Sequence, residues 1–87
     1  MPLHVYNMFL DICFKPNIAY GGIELKMEEK TSAQECQEFC LSTTTCIGFT
    51  WALIDKKCSL KSEITDQTDT VNVISGPPSC GKHILTQ

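Results

Sequence analysis

Six cysteines in 87 residues decide how this chain can become stable. A chain of that length holds a single core, and a domain of this size buries only roughly 60% of the surface its unfolded form exposes. Cross-links therefore count for more than in a longer protein. The cysteines are Cys13, Cys36, Cys40, Cys46, Cys58 and Cys80. An even number in a short sequence is the arithmetic of a disulfide framework made in an oxidising compartment. The competing reading is structural zinc, which wants ligands in close couples such as C-x2-C. Here the intervals are 22, 3, 5, 11 and 21 residues, with no C-x2-C. Cys80 with His83 is the nearest imitation and has no second couple, so neither metal nor cofactor is expected.

Composition narrows the partners. With 43% hydrophobic and 20% charged residues, the chain is neither disordered nor fibrous. No apolar run approaches the ~18 residues of a membrane span. A net charge of −3, with seven lysines and no arginine, argues against nucleic acid, heparin or anionic lipid as the main partner. An oxidising compartment implies a secretory route. Yet the start, Met1-Pro2-Leu3-His4-Val5-Tyr6, has no basic segment, and Asp11 interrupts the apolar stretch, so no signal peptide is visible. The expectation is a piece of a longer secreted protein: a lead-in at 1–11, a module at 12–81 and a tail at 82–87. Asn7, Asn17 and Asn72 all lack the following Ser or Thr of a glycosylation acceptor.

One helix is well signalled. Ser32 with Glu35 makes a capping box, and Ala33 to Leu41 contains neither Gly nor Pro. Cys36, Phe39 and Cys40 share one face at i, i+3 and i+4, with Glu35 and Glu38 towards solvent. The Ser42–Thr45 run then stops the helix. The rest reads as β. Gly22–Met27 alternates apolar and polar residues. Ile47–Ile54 is apolar on both faces, as in a central strand. Cys58–Leu60 returns as its hairpin partner after a turn at Asp55–Lys57, and Val71–Ile74 is a last short strand ended by Gly76-Pro77-Pro78. Gly21-Gly22 reads as a turn. A single helix packed on a small antiparallel sheet is an α+β domain.

The helix restricts the fifteen ways of pairing six cysteines. Cys36 and Cys40 have Cβ atoms ~5–6 Å apart, beyond the ~3.8 Å of a disulfide. Cys46 and Cys58 lie on the two arms of the hairpin but out of register, with Cys58 across from Leu53 or Ile54. Each helix cysteine therefore takes one hairpin cysteine. Cys40–Cys46 and Cys36–Cys58 nest, whereas the alternative crosses, and Cys13–Cys80 clamps the two ends. Loop entropy assigns roughly 2 to 4 kcal/mol to each bridge, most to the longest loop.

Several segments together resemble the PAN/apple module: Cys13; Thr31-Ser-Ala-Gln-Glu-Cys36-Gln-Glu-Phe-Cys40; Cys46-Ile-Gly-Phe-Thr-Trp51; Cys58-Ser-Leu-Lys61; and Ser75-Gly-Pro-Pro-Ser-Cys80. The resemblance runs from about Asp11 to Gly81. It implies pairing of first with sixth, second with fifth and third with fourth cysteine, in agreement with the geometric argument. The G-P-P-S-C ending also resembles the repeated apple domains of micronemal adhesins in apicomplexan parasites. The long lead-in and the absence of arginine are departures.

Enzymatic parts are hard to assemble from these residues. A nucleophile needs a base within reach, and both histidines, His4 and His83, fall in the tails. Ser59, Ser62 and Ser79 have no elbow context. Glu28-Glu29 and Asp66 with Asp69 read as solvated carboxylates, without the 12-residue spacing of a calcium loop. Phe49, Trp51 and Phe39 read as core. Tyr20, before Gly21-Gly22, reads as a recognition residue on an exposed loop. Lys56 and Lys57 read as a charged hairpin tip, with Lys61 on the same arm extending a small basic spot. Tyr6, Met8 and Phe9 make an apolar cluster for the sheet edge or a neighbouring module.

The expectation is a monomeric, non-catalytic, extracellular adhesion module. It would bind a cell-surface protein or glycan and neighbour other modules of the same chain, in a secretory organelle such as the microneme if the narrower resemblance holds. The alternative is a stand-alone secreted effector such as a protease inhibitor, disfavoured because no exposed loop is densely braced by cysteines. Tyr20, Lys56 and Lys57 are the ligand-binding candidates.

Overall fold

The computed structural model describes residues 13–80 of the chain. The elements follow the order β1 (Lys15–Glu29), α1 (Ala33–Leu41), β2 (Gly48–Ala52) and β3 (Lys57–Gly76). The three strands form one sheet in the order β1-β3-β2, with α1 packed against β2 and β3. This is the α+β arrangement that the helix and strand signals imply. His4, His83 and the Tyr6, Met8, Phe9 cluster lie outside the described residues.

The strands are longer than local patterning suggests. β3 runs for 20 residues and flanks β2 twice. On one side Gly48 pairs with Lys61, Phe49 with Leu60 and Trp51 with Cys58; on the other Phe49 pairs with Gly76, Thr50 with Ser75 and Ala52 with Val73. Partner numbers fall as β2 numbers rise in both ladders, so both run antiparallel. β1 follows the opposite edge of β3 from Glu29↔Lys57 to Lys15↔Ser75. The β1–β3 ribbon therefore bends back until its two ends enclose β2, which makes the apolar β2 the central strand.

Bulges supply the bend. Asn17 and Asn72 adopt φ of 62° and 64°, a region that asparagine tolerates better than most residues, and the Asn72 N–H donates to Asn17 Oδ1 at 3.1 Å. The β1 register also slips between Gly21 and Gly22. Gly22 has φ 144°, and a Cβ there would run into the Glu63 carbonyl. Gly21-Gly22 is thus a bulge inside β1 and not the turn that the dipeptide suggests. Two further expectations need correction. Val71–Ile74 belongs to the continuous β3, and Cys58 pairs with Trp51, not with Leu53 or Ile54, because the connecting turn occupies Leu53–Lys56.

Helix α1 has the bounds that its capping box implies. The Glu35 N–H donates to Ser32 Oγ, and Glu35 Oε1 accepts from the Thr31 N–H, both at 3.1 Å. Its inner face carries Ala33, Cys36 and Cys40 into a core completed by Cys46, Phe49, Trp51, Cys58 and Leu60. Phe14, Leu25, Phe39 and Ile74 pack around it half-buried, Phe14 meeting Phe49 edge-to-face at 5.8 Å. The three disulfides are Cys13–Cys80, Cys36–Cys58 and Cys40–Cys46, the nested set.

Candidate functional site

The charged tip of the β2–β3 hairpin is built on Trp51. Lys56 adopts φ 61°, and its N–H donates to the Ala52 carbonyl at 2.8 Å, closing the turn. The turn is tied to the end of β1, since the Lys30 N–H donates to the Lys56 carbonyl at 2.9 Å. Trp51 is buried in the sheet, yet its indole Nε1–H donates to the Lys30 carbonyl at 2.9 Å. Lys56 Nζ then lies 5.2 Å from the Trp51 ring centroid, a cation–π contact that roofs the indole. Lys57 begins β3 opposite Glu29, and both are exposed.

The same junction brings two lysine side chains, one from β1 and one from the residue that follows it, onto the helix. Lys30 Nζ and Lys26 Nζ stand 4.4 and 5.5 Å from the Phe39 ring centroid. Beside them opens a shallow groove of about 420 Å³ lined by Lys30, Glu35, Glu38, Phe39 and Ser42. Hydrogen bonding by Thr31, first through its side chain and then its backbone, with the positive charge of Lys30 as a further cause, holds the Glu35 carboxyl below the ordinary glutamate range. Lys30 also pairs with Glu28 at 3.6 Å. The result is a surface of alternating charge on two aromatic side chains. Its components come from the end of β1 and Lys30 after it, from the exposed Glu35 and Glu38 and the half-buried Phe39 of α1, and from the hairpin tip.

The sequence-read candidates are distributed unevenly. Lys56 and Lys57 are exposed at the tip, as expected. Lys61 does not extend their basic spot: it turns to Glu24 at 3.7 Å, where Glu24 also accepts from Ser59 Oγ at 2.7 Å. Lys26 and Lys30 take its place, and no local pattern finds them, because their approach depends on the β1–β3 register. Tyr20 lies within β1 and only 9% of it is exposed. Its N–H donates to Thr50 Oγ1 at 3.0 Å, and Lys15 Nζ sits 5.7 Å from its ring. It is not on an exposed loop, because Gly21-Gly22 does not turn the chain.

No histidine stands among the described residues, and all six cysteines are bonded in pairs. What the site offers is fixed charge and aromatic surface. A bonded framework of this kind belongs to an oxidising, secretory setting.

Comparison with known proteins agrees with the fold and the cysteine frame. The chain is 34% identical over 74 residues to microneme antigen L2 of Sarcocystis muris, an alignment covering 82% of this chain and 54% of that protein. The chain thus spans about half the length of that relative. Among solved structures, the two N-terminal apple domains of Toxoplasma gondii microneme protein 4 match with a TM-score of 0.64 and 25% identity, over 75% of this chain and 44% of that one. A PAN module from Eimeria tenella matches with a TM-score of 0.60 and 30% identity, over 78% of this chain and 80% of that one. The family model for the PAN domain matches residues 16–80. The chain belongs to the PAN domain family.

Proposed function

We propose that the chain is a non-catalytic adhesion module of a secreted micronemal protein, binding a cell-surface protein or glycan through the hairpin tip and the adjoining helix face. The observation that carries this reading is the placing of Lys26 and Lys30 on Phe39, beside an open groove, and of Lys56 on Trp51, with Lys30 hydrogen-bonded to both Lys56 and Trp51 on a disulfide-bonded base. Backbone hydrogen bonds hold the tip in place, so little ordering entropy is lost when a partner docks. The similarity to microneme proteins of two parasites supports the location and the adhesive role. The alternative of a protease inhibitor finds no support: the exposed tip is a short turn, not a long loop braced by cysteines.

A module this small presents an interface at the low end of area, which suits weak contacts. Linking copies makes the second contact intramolecular and raises avidity by ~10² to 10⁴. The test compares the oxidised monomer with a streptavidin-displayed tetramer for binding to fixed mammalian cells, beside a glycan array. The tetramer should bind far better than the monomer, and K56E/K57E should abolish most of the signal. Equal binding by both forms, or full binding by the K56E/K57E tetramer, would contradict the reading.

A further inference from the structure

The three disulfides are not equally protected. Cys36, Cys58 and Cys40 are 0 to 1% exposed and Cys46 is 8% exposed, all within the core cluster. Cys13 and Cys80 are only half-buried and stand outside that cluster. One side chain attends their bridge. Gln37 Nε2, from the middle of α1, donates to Cys80 Sγ at 3.0 Å and lies 3.6 Å from Cys13 Sγ. The same nitrogen donates to the Pro77 carbonyl at 3.0 Å, which fixes the amide with its donor side towards the sulfurs.

We infer that the Cys13–Cys80 bridge is a thiol–disulfide exchange site, at which an external thiolate attacks Cys13 Sγ and Cys80 Sγ departs. Exchange rates depend on access to the attacked sulfur and on how well the leaving sulfur bears negative charge. Access selects this bridge over the two inner ones. The shorter Gln37 contact selects Cys80 as the leaving group, because a hydrogen-bond donor stabilises the thiolate it faces. The reductant is a low-molecular-weight thiol, RSH. Attack by RS⁻ breaks the Cys13–Cys80 bond and gives a Cys13–S–SR mixed disulfide plus the Cys80 thiolate. A second RS⁻ attacks the external sulfur, releasing the Cys13 thiolate and RSSR. Both cysteines then take up a proton, so two electrons and two protons pass from two thiols to one bridge.

The consequence is local. The core, both inner bridges and the helix remain, while the covalent link between the two ends of the domain is lost. A PAN module of this kind can thus have its ends uncoupled in a reducing environment without unfolding.

The oxidised 87-residue chain is incubated with reduced glutathione, quenched with N-ethylmaleimide at intervals and mapped by mass spectrometry, with circular dichroism followed in parallel. Cys13 and Cys80 should be modified at least tenfold faster than the other four cysteines, glutathione on Cys13 and maleimide on Cys80, with the spectrum retained. Gln37→Leu should bring the Cys13 to Cys80 ratio of glutathione adducts close to one. Comparable modification of any inner cysteine, or loss of the spectrum in step with modification, would overturn the site. Glutathione mainly on Cys80 in the wild-type chain, or an unchanged ratio in the variant, would overturn the direction of attack.

Discussion

Between Cys58 and Leu60, β3 runs beneath α1 with both of those side chains fully buried and Cys58 bonded to the helix. A few residues later, over 63–72, the same strand is exposed at every residue except the half-buried Ile64. One stretch is held by side chains; the other is held by its backbone ladder to β1 and by paired bulges at Asn17 and Asn72. The contrast shows that a strand of this length does not need burial along its whole course. It needs anchoring at both ends, and β2 provides that by pairing with each end of β3 in turn. Exposed ladders gain little, because a hydrogen bond made in water's presence nets only about 1 kcal/mol. The stability of the domain should therefore be concentrated in the stapled core.

The comparison can be broken by substitutions of graded effect. Phe49→Ala should be the most damaging, at about 4 kcal/mol by denaturant titration, because a fully buried ring at the crossing of both ladders leaves a cavity. Next comes the pair of inner bridges. Loop entropy gives about 3 kcal/mol for Cys36–Cys58 and about 2 kcal/mol for Cys40–Cys46, whose sequence separations are 22 and 6 residues. The Cys36/Cys58 double alanine variant should therefore melt lower than the Cys40/Cys46 one, and equal melting temperatures would refute the ordering. Gly22→Ala, in the ribbon, should cost about 2 kcal/mol through backbone strain against the Glu63 carbonyl, and thermal melts would register it. Val71→Thr, on a side chain 74% exposed, should change stability by no more than about 0.5 kcal/mol.

Much of the core half is legible in the sequence, because its signals are local. The capping box at Ser32 and Glu35 and the face shared by Cys36 and Cys40 fix the helix and, with nesting, the bridges. Phe49 and Trp51 alternate as core residues must. The ribbon half is opaque for a physical reason. Its Asp, Thr and Gln residues bury nothing, so no apolar alternation marks them, and the strand exists through pairing with a segment far away in the chain. Gly21-Gly22 misleads for the same reason: two glycines mark an unusual backbone, and only the partner strand decides whether it is a turn or a bulge. That choice in turn moves Tyr20 from an exposed loop into the sheet. At the candidate site, Lys56 and Lys57 follow from the hairpin, whereas Lys26 and Lys30 meet Phe39 only through the register of β1.

Residue-resolved amide hydrogen exchange on the oxidised chain tests the division between stapled core and open ribbon most directly. The slowest amides of Gly48–Trp51 and Cys58–Leu60 should exchange only through global unfolding. The slowest amides over 63–71 should exchange at least ~100-fold faster, through local opening that leaves the three bridges intact. Uniform protection across both stretches, or slower exchange in the ribbon than in the core, would contradict the account.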